Sequence, residues 1–175
     1  YEEGHTAAML SHSLNRMIEL ETITNWLKMF FCHSVENVLC SALKSLGIIA
    51  ENRKQDYLAT VLGCHAFAHL LIHNTEPVPP PEFLVDVTSV APVLQGSYWL
   101  FYMQAYYILG DDENGQLMLD RLNGVVESLP GLLVLYDYEF WAPLMFIRLA
   151  VSEEQVDSCQ TFLSEKLAQF VSYAA

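Results

Sequence analysis

The chain has 175 residues, long enough for one domain with a sizeable core. Its 21 acidic residues against 8 basic ones give a net charge of −13, which opposes binding to phosphate backbones and anionic lipid. Apolar residues make up 53% and charged residues 17%, below the roughly one quarter usual in a soluble domain, so either the core is large or part of the apolar surface meets a partner.

The sequence opens at Tyr1 without Met, and it reads as a piece of a longer protein. "AAMLSHSLNRMIELETITNWLKMFF" predicts one long or two short helices, with Leu14, Met17, Leu20 or Glu21, Thr24 and Leu27 as a weak stripe. "SVENVLCSALKSLG" is a stronger case. Val35, Val38, Leu39, Ala42, Leu43 and Leu46 share one face, Ser34 is placed to cap, Glu36 favours the first-turn dipole, and Gly47 is the expected stop. "NRKQDYLATVLGCHAFAHLLIHN" gives a third helix with Tyr57, Val61, Cys64, Ala68 and Leu71 on its stripe. Gly63 inside it costs about 1 kcal/mol relative to Ala, which points to close helix packing there.

"TEPVPPPEF" ends that helix. Pro77, Pro79, Pro80 and Pro81 cannot donate helix bonds. Neither half alone would make a comfortable core, so residues 1–175 are read as a single helical domain with a Pro-rich crossover at 76–92. "FLVDVTSV", from Phe83 to Val90, alternates like a strand but has nothing to pair with, and is read as a loop or extended segment. Pro92 can open the next helix at its first position. "VLQGSYWLFYMQAYYILG" follows, then a cap at Asp111 or Asp112. A second helix carries Leu119, Leu122, Val126 and Leu129 and stops at Pro130-Gly131. "FWAPLMFIRLAV" is a predicted buried helix with Pro143 in its first turn. "SEEQ", Ser152 to Gln155, opens a last helix whose Val156, Cys159, Leu163, Leu167 and Phe170 are expected to face inward. The fold expected is all-α: antiparallel helical hairpins, or an irregular bundle, of about seven helices.

The stretch "YWLFYMQAYYILGDDENG" is the most distinctive in the chain. Trp99, Tyr102, Tyr106 and Leu109 step by three and four along one face, while Phe101, Met103 and Tyr107 fall elsewhere around the helix, so this helix is expected at the centre of the domain. From Trp99 to Pro130 the sequence resembles one tetratricopeptide repeat. Trp99 stands at the first aromatic position, Tyr102 at the large one and Tyr106 at the tyrosine. Gly110-Asp111 would be the turn and Gly115 the small residue opening the second helix. Met103 stands where that family has a small residue. The resemblance covers about one repeat, and it implies helical hairpins and a concave groove that receives a peptide or helix.

Trp99, Tyr102, Tyr106, Tyr107 and Trp141 are therefore the candidates for contact with a partner or ligand. Trp99 is also expected to be buried between its own helix and the one beginning near Asp112. His65, His69 and His73 lie four apart, within about an 80° arc of one helix face. That spacing alone makes no metal site, and the sequence has no HExxH pair, no GxSxG, no GxGxxG and no P-loop. No metal or cofactor is expected. The acidic pairs Asp111-Asp112 and Glu153-Glu154 sit at predicted helix starts, where they suit the dipole. Cys32, Cys40, Cys64 and Cys159 form no CxxC pair and lie among apolar residues, as reduced buried thiols of a cytoplasmic or nuclear protein would. The apolar runs are broken by Gln104 or Arg148, short of the roughly 20 residues a membrane helix needs.

The first expectation for function is a non-catalytic interaction or regulatory domain, with a protein partner or self-association and neither nucleic acid nor membrane insertion. The alternative is a small-molecule-binding regulatory domain with an apolar cavity lined by Trp99, Phe101, Tyr106 and Phe146. The remaining one is a metalloenzyme built on the histidine ladder.

Overall fold

The computed structural model describes residues 16, 20, 34–52, 58–78, 85–128, 133–150 and 153–173. These hold six α-helices and two short 3-10 turns. The helices are α1 (Val35–Asn52), α2 (Leu58–His73), α3 (Pro92–Leu109), α4 (Asp112–Asn123), α5 (Leu133–Leu149) and α6 (Glu153–Tyr173). The turns are Val87–Ser89 and Val126–Ser128, and no strand occurs among the described residues. The all-α expectation therefore holds, and successive helices pack on one another like hairpins. Of the stripe from Leu14 to Leu27 the structure describes Leu20, which is exposed rather than inward; the other members of that stripe, Tyr57 and the prolines at 79–81 lie outside the described residues.

In α1 the predicted cap forms: the Asn37 amide donates to Ser34 Oγ at 3.3 Å. Val38, Ala42, Leu46 and Ile49 are buried at steps of four and three. The helix does not stop at Gly47 as expected. It runs on to Asn52, Gly47 has open space around it, and Ile49 beyond it is buried in the core. Burial of that last turn outweighs the cost of about 1 kcal/mol for a glycine inside a helix.

α2 and α3 share the most extensive contact, and Gly63 is where they come closest. A Cβ on Gly63 would lie 2.9 Å from the Tyr98 Cα and 3.0 Å from the Phe101 ring. The close packing inferred from that glycine is present. α2 is buried nearly all round, through Leu58, Val61, Leu62, Cys64, Ala66 and Leu70. It ends at Asn74, whose φ of 54° is the left-handed conformation that Asn tolerates. On the far side of the crossover Asp86 caps the 3-10 turn, accepting from the Thr88 amide at 3.0 Å. Pro92 opens α3 at its first position, as expected.

α3 is the central helix. Leu100, Phe101, Met103, Ala105 and Tyr106 are buried on several sides of it, and α2, α4 and α5 all pack against it. Trp99 is buried, and Leu122 and Val126 belong to the same apolar cluster, as the hairpin reading required. Gly110 ends α3 with φ 83°, its amide donating to the Tyr106 carbonyl at 2.9 Å. Asp111 then caps α4, accepting from the Asn114 amide at 3.1 Å.

α4 stops at Asn123, before the expected Pro130-Gly131, and Val126 falls in the 3-10 turn that follows. Pro143 is not in a first turn either. α5 begins ten residues earlier, so the proline sits inside it and is buried. It removes only the bond to residue 139, and the packed turns on both sides hold the helix together. α6 also departs from expectation. It packs chiefly on α5. Cys159 and Leu163 are half-buried, but Val156 and Leu167 are exposed rather than inward. Phe170 lies outside the described side chains.

No described helix is long and apolar enough to cross a membrane. Among the described cysteines Cys64 is buried, Cys159 is half-buried, and Cys40 is exposed rather than buried. Cys40 follows Leu39 on the outer side of α1, which its apolar neighbours in sequence concealed.

Candidate functional site

The five candidate aromatics divide into two groups. Trp99, Tyr102 and Tyr106 lie on the side of α3 that looks toward α2 and α4. Tyr98, Tyr102 and Tyr106 recur every four residues, so their rings stack as a ladder along the helix. Ring centroids are 4.9 Å apart for Tyr98–Tyr102 and 6.0 Å for Tyr102–Tyr106. The Tyr106 hydroxyl donates to Glu76 Oε1, which ties the start of the crossover back to α3. Burial, and after it that bond, push the Tyr106 hydroxyl well above the ordinary tyrosine range. Burial and the contact with Tyr98 do the same for Tyr102. These hydroxyls therefore stay protonated at physiological pH. They can donate hydrogen bonds, and they cannot serve as bases. Trp99 is closed off by Arg121 of α4, whose Cζ lies 4.5 Å from the indole ring.

Below the ladder is an open cleft of about 540 Å³ lined by Leu70, Glu76, Tyr106, Asp111, Asp112 and Glu113, among others. Its carboxylates come from two helix-to-loop junctions, and Asp111 serves as the cap of α4.

Tyr107 and Trp141 form the second group, between α3 and α5. Their rings meet edge to face at 5.6 Å. Arg148 of α5 pins this junction. It pairs with Asp112, donates from Nη1 to the Tyr107 carbonyl at 2.8 Å, and lies 5.4 Å over the Tyr107 ring. Its guanidinium also fills the space beside Gly110, where a Cβ would come within 2.9 Å of Nη2. Gly110 thus serves both the turn and the seating of α5.

Next to Trp141 the structure presents a face that the sequence reading missed. Tyr136, Phe140, Leu144 and Ile147 recur at steps of four, four and three along α5. Tyr136 is 45% exposed and Phe140 54%; Ile147 is exposed and Leu144 half-buried. The signal was in the sequence. Assigning Pro143 to a helix start cut Tyr136 from the helix and hid the ridge.

The histidine ladder is real as geometry. Ring centroids are 5.8 Å apart for His65–His69 and 4.5 Å for His69–His73. His69 Nδ1 lies 2.9 Å from the Thr75 carbonyl oxygen. Burial first, and then the charge of His69, hold His65 below the usual histidine range. Among the described residues no group of three or more His, Cys, Asp or Glu could hold a metal ion.

Of the four residues proposed to line one cavity, Phe101 is in the core, Trp99 and Tyr106 are on the ladder side, and Phe146 is elsewhere. Phe146 lines a separate open cleft of about 350 Å³ with Leu119, Leu149 and Cys159.

Neither a family model, nor a curated protein, nor a solved structure matches this chain.

Proposed function

We propose that the chain is a non-catalytic interaction domain that receives a segment of another protein on its helical surface. The observation that carries this reading is the ridge Tyr136, Phe140, Leu144 and Ile147 on α5, exposed at all but the half-buried Leu144, beside the Tyr107–Trp141 pair. Aromatic rings that stay about half exposed on a packed helix offer apolar area that a partner can bury, and such rings are the usual anchors of interfaces. The low charged fraction is consistent with surface set aside for a partner.

A tetratricopeptide-like arrangement is supported by Gly115. It is buried, and a Cβ there would meet the flexible end of the Met145 side chain and lie 3.7 Å from Tyr106 Cβ. A small residue at this point lets α4 approach both its hairpin partner and the next hairpin. In this reading Trp99, Tyr102 and Tyr106 frame the hairpin, and Tyr107 and Trp141 support the docking face. The setting is cytoplasmic or nuclear, with the cysteines reduced.

Affinity capture tests the reading. The chain should retain a protein partner that Phe140→Asp loses, while the two melt alike. Equal capture by both would remove the ridge from the interface, and the reading with it.

A further inference from the structure

We infer that the α5 ridge takes an amphipathic helix with basic flanks; this rests on reading α5 as an interaction face. Three observations fix the kind of occupant. The first is spacing. Tyr136 and Ile147 are eleven helical rises apart, about 16 Å, and the four side chains form a row about one turn apart. A row of that period fits between the side-chain rows of another helix, whereas an extended peptide places its side chains on alternate sides.

The second is charge. From residue 111 to 173 the chain carries eleven acids and three bases, Arg121, Arg148 and Lys166. Arg121 lies over Trp99, and Arg148 is held by Asp112 and the Tyr107 carbonyl. The part of the chain that holds α5 is therefore strongly acidic in sequence, and a basic partner gains in encounter rate and in specificity. The third decides against a second copy. Two chains of net charge −13 would bring like charge against like charge at the same face.

The occupant is thus about three turns of helix, with apolar residues at i, i+4, i+7 and i+11 and Lys or Arg on both flanks.

Fluorescence anisotropy with three labelled synthetic peptides of equal apolar content tests this: a basic amphipathic helix, its acidic counterpart, and the basic sequence interrupted by two prolines. The basic helix should bind, more weakly as salt rises, and at least tenfold tighter than the other two. Phe140→Asp separates docking from bulk attraction, because it adds negative charge while removing the central anchor. Binding of the basic helix should fall at least tenfold. Unchanged or tighter binding by Phe140→Asp would overturn the proposal, as would no binding by any peptide. Phe140-dependent binding of the acidic or proline-containing peptide would overturn the occupant and leave α5 as an interaction face. A dimer in light scattering that Phe140→Asp abolishes would assign the face to a second copy. Should affinity capture with the same variant also show no Phe140-dependent partner, the reading of α5 fails with it.

Discussion

α3 and α6 are both long, 18 and 21 residues, and both carry apolar residues at steps of three and four. Their fates differ. α3 is enclosed by α2, α4 and α5, and even Gln104 on it is buried. α6 meets chiefly α5, and leaves Leu167 66% and Val171 63% exposed. A helical period says that one face is apolar. Whether that face is buried depends on how many neighbours reach it, and that is decided by the topology around the helix. α5 stands between these cases, with one side seated on α3 and α4 and its ridge partly exposed.

The sharpest way to break this contrast is Trp99→Ala. Emptying a large buried site at the α3–α4 contact should cost about 3–5 kcal/mol, read as a large drop in the thermal melt. An unchanged melt would place Trp99 outside the core. Gly63→Ala comes next. The new Cβ meets the Tyr98 backbone, which cannot swing aside as a flexible side chain could. The clash should outweigh the gain in helix propensity and cost about 1–3 kcal/mol by denaturant unfolding.

His65 gives a smaller effect with a defined sign. Its folded pKa lies below the ordinary histidine value of about 6.5, chiefly through burial. Above pH 6.5 both states leave it neutral and its contribution is whole. As pH falls from there toward the folded value, the unfolded chain takes up the proton first and stability is lost. Below the folded value the loss stops growing. Melting temperatures between pH 8 and 5 should therefore fall less steeply for His65→Gln than for the parent chain. The smallest effect belongs to α6. Leu167→Ser should change stability by less than about 0.5 kcal/mol, and a loss comparable to that of Trp99→Ala would mean that α6 is enclosed after all.

Much of the architecture was legible where one residue has one local role. Pro92 opens α3, Asp111 caps α4, Gly110 turns the chain and Gly63 marks a close approach. The misreadings came where tertiary packing overrides a local signal. Gly47 lies inside α1 because the turn after it, with Ile49, is buried. Pro143 lies inside α5 because neighbouring helices hold the turns around it. The second error reached the candidate site. Tyr107 and Trp141, both aromatic candidates for partner contact, do meet, but the ridge beside them depends on the true start of α5. The inward stripe of α6 failed for a different reason, since periodicity carries no information about which neighbours arrive.

The division of labour between an enclosed α3 and an edge-lying α6 is tested most directly by native-state hydrogen exchange of the free chain, resolved by residue. Amides in the middle of α3 should exchange only through global unfolding, and those of α6 several orders of magnitude faster, through local opening. Protection in α6 equal to that in α3 would contradict the account.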